Sequence, residues 1–262
     1  MDNDGKNVKA GKSSTSPYLT SMADPFSPAR SRSPKAAGAA GGVVDTASPL
    51  IGLDFDCTIT VRHFYKSIAN LLMGKPMAHP HCAFLNAWLK RQNVKLEVPQ
   101  TDVHIMVAAV ENLSHKLGEK RFRQLIREVF LGGDERIQHL TEWFTRKEAE
   151  GIHFAIITAG IASTVSIALE AVPEWDRFFP PDLVLDLSNS RHQVLSITGQ
   201  KALMLRDLRP SSRILLVDDS LGEDPIPSWI LRRSQVKSVA LPYEGTGLDL
   251  PRCAEVDAEL LS

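Results

Sequence analysis

Cysteine is scarce in this chain, and the few that occur build no framework. Cys57, Cys82 and Cys253 are odd in number and far apart, which excludes a disulfide scaffold and predicts a reducing compartment. An excess of charge of one sign is also missing. The formal net charge is −1, so no overall field recruits nucleic acid or an anionic membrane, and neither is expected as a partner. Apolar runs are short, none approaching the roughly 18–20 residues that span a bilayer. Residues 1–48 have few large apolar side chains and lack the apolar stretch of a secretory signal. Taken whole, the chain has the composition of a soluble globular protein, 43% hydrophobic and 23% charged over 262 residues, with a cytoplasmic location expected. The Ser and Arg content of the first segment leaves an organelle transit peptide open, with Asp2 and Asp4 counting against it.

The segment 1–48 is rich in Ser, Pro, Gly and Ala. Such a composition buries too little to offset its ordering entropy, and disorder is the expectation. Ser16, Ser27, Ser33 and Ser48 each precede a proline, a pattern open to phosphorylation but common in any tail of this kind. "GKNVKAGKSS" resembles a nucleotide loop only superficially. Five residues separate Gly5 from Gly11 where that loop needs four, and no strand precedes it.

Five short runs in the remainder predict strands: 50–55, 153–159, 183–187, 213–219 and 236–241. Most are uninterrupted aliphatic clusters, as in strands covered on both faces. Helical patterns alternate with them, so the expected fold is α/β, a Rossmann-like parallel sheet with helices on both faces. The gap between the first two strands far exceeds a crossover. Within it, Val103, Met106, Val107, Val110 and Leu117 form one helical stripe, with Thr101 as cap and Gly118 as stop. Phe122, Leu125, Ile126, Val129 and Phe130 form another, ending at Gly132-Gly133. A third places Ile137, Leu140 and Phe144 on one face and leads back to the sheet. "HFYKSIANLLMG" and "HCAFLNAWLKRQN" predict two more helices. The expected organisation is a tail over 1–48, an α/β core over 49–60 and 134–262, and an all-helical cap over 61–133.

Ligands of open parallel sheets bind at the carboxyl ends of strands. Those ends carry Asp54 and Asp56 in "IGLDFDCTIT", Thr158 in "FAIITAG", and Asp218 and Asp219 in "ILLVDDS". Lys201 opens the helical run before the fourth strand. Carboxylates gathered this way repel one another unless a hard divalent cation or a lysine offsets them. Nucleophilic carboxylate, metal, cation and hydroxyl together are the parts used in phosphoryl transfer.

In this order the residues resemble the motifs of the haloacid dehalogenase superfamily. "DFDCT" is similar to its first motif, the strand ending in Thr158 to its second, Lys201 to its third and the Asp218-Asp219 pair to its fourth. About a hundred residues separate Asp54 from Thr158 and only about forty separate Thr158 from Lys201, so a cap fits after the first motif and the family's α/β cap does not fit later. The resemblance implies Asp54 as nucleophile, forming an aspartyl-phosphate, and Asp56 as the acid that protonates the leaving alcohol and then activates water. It implies Thr158 and the backbone N–H of Ala159 as phosphate binders and Lys201 as the neutralising cation. Mg2+ would be held by Asp54, the backbone carbonyl of Asp56, Asp218 and Asp219. An acid at position 56 points to a phosphatase or phosphomutase rather than a dehalogenase, and a helical cap to a small phosphorylated substrate. The alternatives are transfer to a second hydroxyl, as in a mutase, and a non-catalytic binding protein of the same fold. A response-regulator receiver has its acidic pair on the first strand, the reverse of the order here.

Other residues carry blander readings. Thr58 is expected to brace the loop with its hydroxyl. Cys57 has no nucleophilic partner in the sequence. His79, His81 and Cys82 in "AHPHC" have no second cluster to complete a zinc site. Arg62, His63 and Lys66 fit a solvated helix start as well as a substrate contact. Trp88, Trp143, Trp175 and Trp229 are expected to pack.

Overall fold

The computed structural model describes residues 48–72, 80–95, 106–192, 194–243 and 245–262. The expectations for residues 1–47 and for His79, Thr101 and Val103 lie outside the described residues, as does the side chain of His81. No helix among the described residues is long and apolar enough to cross a membrane.

All five expected strands form, and all pair in parallel. They are β1 (Leu50–Leu53), β2 (His153–Thr158), β3 (Val184–Asp186), β4 (Ile214–Asp218) and β5 (Val236–Ala240), in the spatial order β3-β2-β1-β4-β5. The aliphatic runs of β1 and β4 are buried throughout, as inner strands covered on both faces must be. β5 is an edge strand, and Lys237 and Ser238 stand exposed on it.

The helices are α1 (Phe64–Leu72), α2 (Pro80–Arg91), α3 (Met106–Leu117), α4 (Glu119–Leu125), α5 (Asp134–Ala149), α6 (Ala162–Leu169), α7 (Ile197–Leu208), α8 (Ser228–Ser234) and α9 (Leu250–Leu261). The apolar stripes predicted for α3 to α5 are the buried ones, although Val107 is only partly covered. Gly118 ends α3 at φ 73° and starts α4, and Gly132 and Gly133, at φ 81° and 94°, separate the turn after α4 from α5. Such angles favour glycine because it has no Cβ to clash.

Alternation along the strands sorts the core onto two sheet faces. Leu50, Ala155, Ile157, Ile214 and Leu216 pack with α7 and α8. Ile51, Leu53, Phe154, Ile156, Leu215 and Val217 belong to a second apolar cluster that also takes in α5, α6, α9 and the helices of the insertion. Within this second cluster Phe64 of α1 links the turn after β1 to the insertion, its ring edge-on to Phe55 at 6.1 Å and to Phe130 at 5.0 Å. Trp88, Trp143 and Trp175 are buried as expected, but Trp229 is 48% exposed on α8. It lies on the outer side of a short helix whose Ile230 supplies the buried contact.

Candidate active site

The sheet is wound outward in two directions from β1. β2 and β3 lie on one side, β4 and β5 on the other. The switch falls between β1 and β4, the place where open parallel sheets bind ligands beyond the carboxyl ends of their strands. The Leu53↔Val217 register brings Asp54, immediately after β1, beside Asp218 at the end of β4. The Asp54 N–H donates to the Val217 carbonyl at 2.9 Å.

Lys201 lies between these two acids. Its Nζ donates to Asp54 Oδ1 at 2.7 Å and to Asp218 Oδ2 at 2.6 Å, and all three side chains are buried. Its delivery can be traced to a glycine. A Cβ on Gly52 would stand 2.4 Å from Leu205 Cδ1, so the missing side chain lets α7 lie close against β1. Gly52 and Asp54 are two residues apart on one strand face, and Lys201 and Leu205 are four apart on one helix face. Two strand residues span about 6.6 Å and four helical residues about 6 Å. When Leu205 sits over Gly52, Lys201 therefore sits over Asp54. Burial opposes the Lys201 charge, but the two carboxylates outweigh it and hold the ammonium above the ordinary lysine range. Burial pushes the Asp54 carboxyl well up; Lys201 opposes this, and Asp218 and Asp56 reinforce it.

Asp219 is the least satisfied acid. Its Oδ2 is buried without a hydrogen-bond partner. Burial and the Asp218 charge push it up to about 6, with His63 and Lys201 pulling the other way. Oxygens of Asp54, Asp218 and Asp219 lie within 4.8 Å of one another. An orphaned carboxylate oxygen within a set of hard oxygen donors fits a divalent cation such as Mg2+.

Asp56 stands in the tight turn after β1 (Phe55–Ile59), which is closed by the Thr60 N–H on the Phe55 carbonyl at 2.9 Å. Its Oδ1 accepts from the N–H groups of Phe64 and Tyr65 at 2.6 and 3.3 Å. The carboxylate thus caps the first helix of the insertion, where the exposed N–H groups favour an anion. The expectation that Thr58 braces this turn is wrong. Its hydroxyl is buried without a partner, and Thr60 does the bracing. Thr60 Oγ1 accepts from the Cys57 N–H at 3.0 Å and donates to the Arg62 carbonyl at 2.6 Å. Two residues further along, Thr60 faces back into the turn where Thr58 faces the core.

Thr158 and Ala159 come to the same end of the sheet, one strand over. Thr158 is buried and its Oγ1 accepts from the Gly160 N–H at 2.9 Å, while Ala159 is exposed. Asp186, not singled out in the sequence, ends β3 and accepts from the Ala162 N–H at 2.9 Å, fixing the start of α6 beside Thr158. Its position at a strand end was the available signal. Arg136 was also missed, since an arginine on a helix reads as surface. It is a partly buried tie on the turn after β1, donating to the carbonyls of Ile59 (2.8 Å), Leu131 (2.9 Å), Leu248 (3.0 Å) and Thr58 (3.3 Å). Burial lowers it to about 10, still charged at neutral pH.

A cavity of about 530 Å³ lies between the insertion and this turn, walled by Arg62, His63, Phe84, Glu128 and Thr246 and reaching Cys57. The helix-start residues are not simply solvated. The Arg62 guanidinium is 3.8 Å from the Phe84 ring centroid and donates to the Val129 carbonyl at 2.7 Å. His63 is buried, with Nδ1 4.0 Å from Asp56 Oδ2. Cys82 is buried, and its Sγ lies 3.8 Å from the Ser67 carbonyl oxygen.

No family model and no curated protein sequence matches this chain. Among solved structures it is similar to the haloacid dehalogenase domain of the effector Lem4 from Legionella pneumophila, with 16% identity, 83% of this chain and 96% of that one covered and a TM-score of 0.38. Cytosolic 5'-nucleotidase IIIB bound to cytidine matches at 15% identity over 82% and 87% of the two chains, TM-score 0.40. The magnesium-bound haloacid dehalogenase-type hydrolase YfnB from Bacillus subtilis matches at 14% over 74% and 89%, TM-score 0.37. These likenesses are distant. What the chain itself shows is an all-parallel sheet in the order β3-β2-β1-β4-β5 with Asp54, Lys201, Asp218 and Asp219 gathered at the carboxyl ends of its inner strands.

Proposed function

We propose that this protein is a magnesium-dependent phosphatase that hydrolyses a small phosphorylated metabolite through an aspartyl-phosphate on Asp54. The observation that carries the reading is the buried Lys201 ammonium shared by Asp54 and Asp218, with an unpartnered Asp219 oxygen beside it. A structural ion pair needs no third acid left unsatisfied in its neighbourhood.

Asp54 attacks phosphorus with the carboxylate oxygen that Lys201 does not hold. The bond to the leaving oxygen breaks, and Asp56 gives that oxygen a proton. Asp56 then takes a proton from water, the hydroxide attacks the phosphoryl group, and Asp54 is released with inorganic phosphate. The helix N-terminus holding Asp56 Oδ1 keeps the acid in place, while Oδ2 carries the proton. Thr158 and the Ala159 N–H bind phosphoryl oxygens, and Lys201 offsets the charge that gathers there. Asp54, the Asp56 carbonyl, Asp218 and Asp219 would hold the Mg2+ ion, which supplies further charge compensation for the phosphoryl oxygens.

The restriction to small substrates is supported by the helical insertion and by the cavity beneath it, whose volume is within the roughly 300–1,000 Å³ of small-molecule sites. Hydrolysis of p-nitrophenyl phosphate with and without Mg2+, followed by a panel of phosphorylated metabolites and phosphopeptides, tests the proposal. Turnover should need Mg2+ and favour a small molecule. A preference for phosphopeptides would remove the small-substrate part, and an inert protein would leave the fold as a binding module.

A further inference from the structure

The orphaned Oδ2 of Asp219 belongs to a carboxylate with two sets of neighbours. One is the oxygen set of Asp54 and Asp218. The other is Cys57 and His63: a thiol sulfur, a ring nitrogen and an Asp219 oxygen lie within 4.8 Å of one another, and all three side chains are buried. We propose that Cys57, His63 and Asp219 form a second metal site, selective for a thiophilic transition-metal ion of the zinc type, which draws Asp219 away from the magnesium cluster.

Four observations support it. Sulfur, imidazole nitrogen and carboxylate are the three donor types zinc takes, whereas magnesium does not accept the first two readily. Asp219 Oδ2 is buried with no hydrogen-bond donor on it, so one carboxylate oxygen in the pocket is open to a ligand. Cys57 is held at φ 59°, in the left-handed region, by its N–H on Thr60 Oγ1; its orientation is thus imposed by the turn. Finally, the cavity wall includes both Cys57 and His63, which gives an ion a way in and leaves a fourth ligand position for water.

Tetrahedral zinc needs its ligand atoms about 3.3–3.8 Å apart, so the three side chains, now within 4.8 Å of one another, close by at most about 1–1.5 Å. Lys66 does not prevent this. Its Nζ is 3.3 Å from His63 Nε2, but it also donates to Tyr243 Oη at 2.8 Å and can remain there. Binding releases the Cys57 proton to solvent.

Metal binding by this trio does not depend on the phosphatase reading; only its inhibitory consequence does. Cobalt(II) is the probe, added to the full chain. A thiolate-to-cobalt charge-transfer band should appear in the near ultraviolet at one equivalent and vanish on adding zinc. Cys57→Ser should abolish the band and weaken zinc binding by more than the roughly 10–100-fold that loss of an outer-shell partner costs. Zinc should also inhibit magnesium-supported turnover, excess magnesium should relieve the inhibition, and Cys57→Ser, whatever its own zinc-free rate, should lose most of the fractional inhibition by zinc. If Cys57→Ser does not fold, His63→Leu carries the same cobalt measurement. No band in the native chain, or a band unchanged in the variant, overturns the site. A band without any turnover keeps the site and removes the phosphatase reading. Turnover without a band does the reverse.

Discussion

The two faces of the sheet solve different problems with different materials. On the α7 face the helix lies against a glycine, its contact residues are aliphatic, and one lysine is set over the acids of β1 and β4. On the opposite face the packing is aromatic, from Phe154 and Phe144 through Phe55 and Phe64 to Phe130, and it continues into the insertion. On the proposed mechanism the first face sets the charge and position of the reacting groups. The second sets the walls of the space beside them. Substitutions on the α7 side should therefore change the rate for every substrate, and substitutions under the insertion should change which substrate is used.

The sharpest break is Asp54→Asn. An amide is not a competent nucleophile, and turnover should fall by roughly 10⁴-fold or more, the scale on which removal of a nucleophile acts. The loss should be uniform across substrates. Near-normal rates with Mg2+ present would sink the mechanism.

Gly52→Val tests how the α7 face delivers Lys201. The added carbons meet Leu205, which is fully buried and has little space to turn into. Overpacking should cost about 1–3 kcal/mol, measured by denaturant unfolding, and displacing Lys201 by a fraction of an ångström to 1 Å should slow turnover by up to about a hundredfold. Leu205→Ala alone should destabilise by about 2–5 kcal/mol. In the double variant the two losses should partly cancel, because the cavity accepts the new side chain. Additive losses would mean that Gly52 and Leu205 do not act as one contact.

These two faces were unequally legible in the sequence. Asp54, Asp218 and the five strands could be read because buried parallel strands are continuous apolar runs and polar residues at their ends stand out. Lys201 was placed by its position before the fourth strand, and the glycine that seats it is itself a sequence signal for close approach. Thr60 and Arg136 were not legible. Both act by bonding backbone carbonyls, and nothing in a threonine or a helical arginine reveals which carbonyls the chain will bring to it. His63 and Cys57 are neighbours of Asp219 only because the turn at Phe55–Ile59 folds Cys57 into a left-handed conformation, and Cys57 alone gives no hint of its partners.

Removing metal sharpens the comparison through Asp219. With the folded carboxyl at about 6 and an unfolded value of about 3.9, the folded chain binds more protons between those values. Stability in EDTA from this group should therefore fall as pH rises from about 4 to about 6 and level off above, the opposite of a salt-bridged aspartate. The charges facing it are Asp218, Asp56, His63 and Lys201. Magnesium should stabilise the protein more at pH 7 than at pH 5, and Asp219→Asn should flatten the metal-free slope. Thermal unfolding across pH, with and without Mg2+, reads both; equal stabilisation by Mg2+ at the two pH values would count against Asp219 as a ligand.

The smallest effect is expected from Phe84→Ala, and it tests the role given to the insertion. Phe84 is 51% exposed on α2 and lies against the Arg62 guanidinium on the cavity wall. Half of the ring is already in water, so truncation should cost about 1 kcal/mol or less. It should leave kcat for p-nitrophenyl phosphate nearly unchanged, because no group on the α7 face moves. What should change is the order of KM values across a panel of phosphorylated metabolites, since Arg62 loses the surface that holds it and the cavity widens. A contact of this kind is worth about 0.5–1 kcal/mol at an exposed site, which corresponds to a change of about two- to fivefold. If every substrate shifted by the same factor, the cavity would be a structural gap and not a selecting surface.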